Sequence, residues 1–233
     1  MKASTLLLIA ALTSATTPVA VAARSVCYGT PAAGSLRGGC QLPENGANFS
    51  AYSRRGVMAG RSYVHCTVRE IVAAAYADVA RQRPDVRFVY GESGFAGGGP
   101  FAPHKTHQNG LSIDFFVPVR DRAGRSVPLP TSAANRWGYD LELDARGRLG
   151  DLTIDFDAMA AHLLALHRAA AERHARIARV YFDTELQRLL RGTKAWPQLA
   201  RAVPFSTRQG WWKHDEHYHV DFDLPCEKRQ GQP

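Results

Sequence analysis

Long hydrophobic runs are missing from most of this 233-residue sequence. After the N-terminal region, no stretch approaches about eighteen consecutive apolar residues, so no transmembrane helix is predicted in the body of the chain. Internal repeats, low-complexity tracts and domain linkers are also missing, which favours a single domain. Hydrophobic residues account for 45% of the sequence. This content is ordinary for a globular protein, and the length allows one sizeable core.

Several catalytic and metal-binding motifs are missing as well. No Cys-x-x-Cys pair occurs, which disfavours a zinc ion held by cysteines. No His-Glu-x-x-His helix occurs, so the glutamate base of that peptidase class is lacking. The nucleophile pair Ser-x-x-Lys is also lacking, so β-lactams have no target serine. Gly91 to Phe95 comes near a Gly-x-Ser-x-Gly elbow but lacks the final glycine. Serine acyl-enzyme chemistry is therefore unsupported.

The N-terminus has the organisation of a secretory signal peptide. Met1-Lys2 is a short positive start, and the apolar run Leu6 to Leu12 is too short to span a bilayer. Ala20-Val21-Ala22 and Val21-Ala22-Ala23 both fit a small-residue cleavage site. We therefore expect residues 1–23 to be removed on export and residues 24–233 to form the mature domain, with a short polar C-terminal tail.

The four cysteines of the exported part predict two disulfides. An even count in an oxidising compartment favours complete pairing, with three connectivities open. A bridge from the fourth cysteine would fasten the C-terminus to the body, but the sequence does not select its partner. The four are Cys27, Cys40, Cys66 and Cys226.

The chain is basic, with a formal net charge of +8. Removal of Lys2 with the signal peptide leaves +8 less one, or +7. A basic surface outside the cytoplasm suits an anionic polymer such as the cell wall, or acidic lipid headgroups. Nucleic acid is the usual partner of a basic protein, but export argues against it, and no nucleic-acid partner is expected.

Periodicity and turn residues predict an α+β fold. A central antiparallel β-sheet would carry the functional site on one face, with helices packed mainly on the other. Thr67 and Glu70 form a capping-box pattern at the start of a helix that Pro84 ends. The other expected elements are an irregular N-terminal region over 24–66, strands over 87–91, 112–119 and 177–182, and the longest helix over 159–176.

Two histidine-rich segments carry the candidate chemistry. They are residues 104–114 and 214–219, which together hold five of the nine histidines. In a strand from 214 to 224, side-chain alternation places His217 and His219 on one face, about 6 to 7 Å apart. The same alternation points Glu216 to the opposite face. The turn residues Gln108-Asn109-Gly110 allow His107 to reach back over the strand face that carries Asp114.

Imidazole and carboxylate are ligands that zinc prefers. Two histidines and one carboxylate leave a fourth position for water, which is typical of a catalytic rather than a structural zinc site. Such a site also needs a base for the proton and a group that stabilises the developing oxyanion. His217 and His214 are the candidates for these roles.

Both segments resemble the penicillin-insensitive murein endopeptidases, within the zinc proteins of the lysostaphin, D-Ala-D-Ala peptidase and hedgehog-like group. The matching motifs are His104-x-x-His107-Gln108-x-Gly110-x-x-x-Asp114 and His214-Asp215-x-His217-Tyr218-His219-Val220. The segment Gly38-Gly39-Cys40-x-Leu42-Pro43-x-x-Gly46 is also similar. The resemblance departs at Asp221-Phe222-Asp223, where an arginine-leucine type sequence is typical of the family.

The resemblance implies one zinc ion per chain, held by His107, Asp114 and His219. It also implies catalytic roles for His217 and His214, with His104 supporting the metal site. The implied reaction is hydrolysis of D-alanyl-diaminopimelyl crosslinks of peptidoglycan in the periplasm.

Two alternatives to this reading stay open. One is a D,D-carboxypeptidase on the same substrate class, and the other is a non-catalytic, zinc-containing module that binds cell wall. The oligomeric state is also open, and a homodimer is one of the states considered.

Overall fold

The computed structural model describes residues 25–208 and 213–228. The predicted signal peptide lies outside the described residues. The strands are β1 (Val26–Thr30), β2 (Ala33–Arg37), β3 (Cys40–Gln41), β4 (Phe49–Ala51), β5 (Tyr63–Val64), β6 (Phe88–Tyr90), β7 (Ser112–Phe116), β8 (Val119–Arg120), β9 (Ser126–Val127), β10 (Arg148–Leu149), β11 (Leu152–Ile154), β12 (Arg176–Tyr181) and β13 (His217–Asp223). The helices are α1 (Arg54–Met58), α2 (Cys66–Gln82), α3 (Phe156–Ala171), α4 (Gln187–Arg191) and α5 (Trp196–Ala202), with a 3₁₀ segment at Ala133–Gly138.

A five-stranded sheet in the order β12-β13-β7-β6-β4 forms the centre of the fold. Its pairs are antiparallel except for β4 and β6, which run parallel. The predicted α+β class is thus confirmed, while the sheet is mixed rather than wholly antiparallel. The strand predicted over 112–119 divides before Pro118, which has no backbone N–H to donate to a sheet ladder. Beyond it, β8 joins a separate sheet in the order β10-β11-β8-β9.

One face of the central sheet packs on α2 and α3 and forms the core. Phe115 of β7 and Tyr218 of β13 are buried on this face, with their rings stacked 5.5 Å apart. His162 of α3 and Tyr76 of α2 pack against them. The opposite face of β7 and β13 therefore remains for polar side chains, as strand alternation predicts.

The helix caps differ from the sequence expectation. Helix α2 begins at Cys66, and the side chain of His65 caps it by accepting a hydrogen bond from the Thr67 N–H at 3.2 Å. The predicted cap at Thr67 is wrong because the Cys40–Cys66 disulfide and β5 bring the chain into the helix earlier. Helix α3 also begins earlier than predicted and ends at Ala171; with 16 residues it is shorter than α2, which has 17.

Two disulfides fasten the N-terminal part of the chain, Cys27–Cys226 and Cys40–Cys66. The first ties the N-terminal hairpin of β1 and β2 to the segment that follows β13. The region predicted to be irregular over 24–66 contains five short strands and α1. Pro31, Gly38, Gly39, Pro43, Gly46 and Gly60 lie between these elements, whereas Gly29 and Gly34 lie within β1 and β2, and Gly56 lies within α1. None of the helices in the described ranges is long and apolar enough to cross a membrane.

Candidate active site

The pairing of β7 with β13 assembles the centre of the site. In this register, His219 lies directly opposite Asp114, and Asp221 lies opposite Ser112. His217 lies opposite Phe116 on the same face. Because residues two apart in a strand share a face, the two strands present a block of polar side chains away from the core.

A turn before β7 adds His107 to this block. His107 itself has a left-handed backbone, with φ of 68°, and Gly110 has φ of 77°. A Cβ at Gly110 would lie 2.6 Å from the backbone nitrogen of His65, so only glycine fits this turn. His107 Nε2 thereby lies 3.4 Å from Asp114 Oδ1. The sequence-based placement of His107 over the Asp114 face is confirmed.

Four imidazole nitrogens converge on the buried carboxylate of Asp114. Nδ1 of His219 is 2.8 Å from Oδ1, and Nε2 of His217 is 3.7 Å from the same oxygen. The other oxygen, Oδ2, accepts a hydrogen bond from the Tyr139 hydroxyl at 2.9 Å and lies 3.8 Å from His104 Nδ1. Asp114 thus lies at the centre of four of the predicted histidines.

The second ring nitrogen of each of these histidines contacts an oxygen atom. The second nitrogen of His219 contacts Asp221 Oδ1 at 2.9 Å, and that of His217 contacts Glu216 Oε1 at 2.8 Å. His107 Nδ1 donates to the Ser93 carbonyl at 3.1 Å. Such outer contacts fix the tautomer and orientation of histidines that bind metals.

Glu216 contradicts the prediction from strand alternation. It precedes the first residue of β13, so the regular alternation that would point it away does not apply. Its buried side chain reaches His217 and lines the same groove. In the sequence, only its position next to His217 indicated that Glu216 belongs to the site.

Glu92 is a second functional candidate that sequence patterns missed. Its Oε2 contacts His104 Nε2 at 2.7 Å and accepts from the Arg61 guanidinium at 2.9 Å, while Oε1 accepts from Tyr52 at 2.8 Å. Burial would raise its pKa, but His104 and Arg61 outweigh this and lower the pKa to about 2. Glu92 is therefore a carboxylate that anchors His104.

Burial disfavours the charged form of every ionisable side chain in the centre, and neighbouring groups of opposite charge counteract this effect. Burial lowers the pKa of His107. For Asp114, burial is outweighed by the neighbouring His107 and His217, which hold its pKa well below the usual range. For His219, burial is likewise outweighed by Asp221 and Asp114, which raise its pKa to about 10. The neighbouring imidazoles thus favour the ionised form of the Asp114 carboxylate.

The centre fits a metal ion on its own chemistry. His107 Nε2 is buried without a hydrogen-bond partner in the described part of the chain. Leaving such a nitrogen unsatisfied costs about 1 to 3 kcal/mol, which metal ligation removes. Ligand atoms of His104, His107 and Asp114 lie within 4.8 Å of one another. This group contains two of the three predicted ligands, with His104 in place of His219.

His214 lies at the edge of this centre. It has a left-handed backbone with φ of 54°, in the turn that leads into β13. Its ring centroid is 4.8 Å from that of His217 and 6.5 Å from that of His219. All six predicted site residues are therefore brought together in one region.

The centre lies in a groove of about 930 Å³, near the upper end for small-molecule sites. Its walls include Tyr52 and Arg55, which follow edge strand β4, and Tyr181, which lies on the other edge strand, β12. Asp114 is on β7, the middle strand of the sheet. The groove therefore extends to both sides of the metal-type centre.

Comparison with known proteins identifies the family of the chain. No curated protein sequence matches the chain at a significant level. A family model described as penicillin-insensitive murein endopeptidase matches residues 27–233, which is nearly the whole chain. This range includes both histidine segments, the central sheet and both disulfides. The chain thus belongs to the penicillin-insensitive murein endopeptidases and is a peptidase of peptidoglycan.

Proposed function

We propose that this endopeptidase is exported to the periplasm, binds one zinc ion through His107, Asp114 and His219, and hydrolyses D-alanyl-diaminopimelyl crosslinks. The family match supports the substrate class. The convergence of imidazoles on one buried carboxylate is the observation that carries the metal assignment. The two disulfides support an oxidising compartment.

The choice of His219 over His104 as third ligand rests on the oxygen that each faces. His219 Nδ1 and His107 Nε2 both face Oδ1 of Asp114, at 2.8 and 3.4 Å. His104 faces Oδ2, at 3.8 Å. One ion at the shared oxygen can therefore reach His107 and His219 together, and His104 supports Asp114 from the other side.

The zinc ion, when bound, would act as a Lewis acid that lowers the pKa of water and polarises the peptide carbonyl. His217 is the group that transfers the proton of the attacking water. Glu216 accepts the hydrogen of its Nδ1, so Nε2 is the nitrogen that takes a proton from the attacking water and returns it to the leaving amine. His214, next to His217, is the candidate donor to the developing oxyanion.

The shape of the groove supports cleavage within a crosslink. A crosslink has peptide on both sides of the scissile bond, and the groove has walls from both edges of the sheet around Asp114. A D,D-carboxypeptidase needs space for one terminal D-alanine on the leaving side. The groove therefore favours the endopeptidase over that alternative.

Digestion of purified sacculi tests the reaction. Mass spectrometry should detect uncrosslinked muropeptides, and chelation should abolish their release. Release of free D-alanine alone would instead support a carboxypeptidase, and binding to sacculi without any release would support a non-catalytic module.

Three histidine variants test the roles. His219→Ala should lose zinc and activity together, because a ligand is removed. His217→Ala should keep stoichiometric zinc and lose activity by about a hundred- to ten-thousand-fold, the range for a general base. His167→Ala, on α3 outside the site, is the matched control and should change neither. Full activity of His217→Ala would disprove its role, and retained zinc in His219→Ala would favour His104 as ligand.

A further inference from the structure

Asp221 is a buried carboxylate for which the reaction itself has no direct use. It lies on β13, two residues beyond His219, and only 9% of its surface is exposed. Its Oδ1 contacts His219 Nε2 at 2.9 Å and accepts a hydrogen bond from the Ser112 hydroxyl at 2.5 Å. Burying a carboxylate is costly unless it is paired and hydrogen-bonded, and these two contacts compensate that cost.

The strand register makes this arrangement specific. Ser112 and Asp221 form one cross-strand pair, and Asp114 and His219 form the adjacent pair on the same face. The imidazole of His219 is therefore fixed between two carboxylates. Nδ1 faces Asp114 at 2.8 Å, and Nε2 faces Asp221 at 2.9 Å. The two nitrogens thus have separate partners at opposite edges of the ring.

The partner of each nitrogen decides which one is available to a metal ion. An ionised carboxylate accepts hydrogen bonds and donates none. Nε2 is directed at Asp221, whereas Nδ1 is directed at Asp114 Oδ1, the oxygen that His107 Nε2 also faces, so only Nδ1 lies on the side where a metal ion would meet His107 and Asp114. Nδ1, directed at Asp114, remains the only ligating nitrogen. The Ser112 hydroxyl fixes the carboxylate in the rotamer that makes this contact.

We propose that Asp221, oriented by Ser112, is a positioning residue that dictates ligation of the metal through Nδ1 of His219. This inference rests on the ligand role of His219 in the proposed function. It gives a role to the position where the sequence departs from the arginine-leucine pattern of the related motif. The second carboxylate of that departure, Asp223, differs, because it is partly exposed and pairs with Arg176 at 2.5 Å.

Asp221→Leu tests the proposal, since leucine has a similar size but no acceptor. Zinc affinity, measured by competition with a chelator, should fall by about 10- to 100-fold, as for other outer partners of metal-bound histidines. Asp221→Asn keeps an acceptor oxygen and should restore most of this affinity. Ser112→Ala should give a loss between these two. Asp223→Leu, on the same strand, is the matched control and should bind zinc like the unaltered protein.

A spectroscopic measurement separates positioning from mere stabilisation. In zinc-loaded protein with ¹⁵N-labelled histidine, His219 should have a zinc-bound Nδ1 and a protonated, slowly exchanging Nε2. The slow exchange should be lost in Asp221→Leu and retained in Asp221→Asn. Zinc bound through Nε2, or a folded Asp221→Leu with affinity within about twofold of the original, would overturn the proposal. Retention of zinc by His219→Ala would instead refute the ligand set of the proposed function.

Discussion

Tyr139 connects Asp114 on β7 with Glu92, which follows β6. Its hydroxyl donates to Asp114 Oδ2 at 2.9 Å and accepts from the backbone N–H of Glu92 at 2.8 Å. Gly91 makes this possible, because a Cβ there would lie 2.7 Å from the Tyr139 hydroxyl and 2.9 Å from Asp114 Cβ. The hydroxyl thereby fixes the carboxylate oxygen that faces away from His107 and His219.

Tyr139→Phe should weaken zinc binding and activity together, by about tenfold or more, because an outer partner of a ligand is removed. The measurements are chelator competition and muropeptide release. Tyr90→Phe is the control away from the site, since the Tyr90 hydroxyl donates one hydrogen bond, to the Pro43 carbonyl at 3.0 Å. It should cost about 1 kcal/mol of stability and leave zinc affinity unchanged. Equal effects of both variants would show that Tyr139 acts only through stability.

The sequence predicts the position of some site residues and not of others, and the difference has a physical reason. His217, His219 and Asp114 lie on regular strands, where alternation alone predicts the face. Glu216 lies one residue outside the strand, and Glu92 follows β6 in an irregular segment. Their roles depend on tertiary contacts with His217 and His104, and no local periodicity encodes such contacts.

The two long helices meet the sheet around His162, a polar residue inside the apolar core. Its ring stacks on Tyr76 of α2 at 4.7 Å, and its Nδ1 is hydrogen-bonded with the Tyr218 hydroxyl of β13 at 2.6 Å. Burial lowers the pKa of His162 to about 3. His162 therefore lies on the core side of the sheet, opposite the candidate active site.

This burial predicts an acid-sensitive interface between the helices and the sheet. The folded pKa is about 3, below the unfolded value of about 6.5. Unfolding therefore takes up a proton between these values. The stability contributed by neutral His162 is complete above about pH 6.5, and it falls by about 1.4 kcal/mol per pH unit as the pH drops toward 3.

Urea unfolding of the metal-free protein between pH 7.5 and 4.5 measures this dependence. His162→Gln removes the titrating group, so its stability should decline less steeply with acid. His167→Gln changes a half-buried histidine on the same helix and should keep the original slope. An unchanged slope in His162→Gln would contradict the assignment of acid sensitivity to this interface.

For the helices and strands, hydrophobic periodicity predicted where most of each element lies but not where it begins and ends. Helix α2 and strands β6, β7 and β13 follow from hydrophobic spacing. The start of α2 at Cys66 depends on a disulfide and on the side chain of His65. The parallel pairing of β4 with β6 joins chain segments far apart in the sequence. Neither effect is written in a local pattern, so both required the structure.

For the whole molecule, the pairing of the cysteines determines how the two ends of the chain are joined. Cys27 and Cys226 are 199 residues apart, whereas Cys40 and Cys66 are 26 apart. The longer link also lies beside the backbone bridge between Tyr28 and Glu227. The sequence predicted two disulfides but allowed three pairings, because connectivity depends on the complete fold.

Removal of the Cys27–Cys226 link should destabilise the protein more than removal of Cys40–Cys66. A disulfide restricts the unfolded chain, and the restriction grows with loop length, which gives about 5 kcal/mol for the longer loop and about 3.5 kcal/mol for the shorter one. Urea unfolding of two double variants to alanine, without metal, measures the difference. The shorter link adjoins the cap of α2, so a larger loss there would mean that local contacts at Cys66 outweigh chain entropy. Equal losses would contradict the loop-length argument itself.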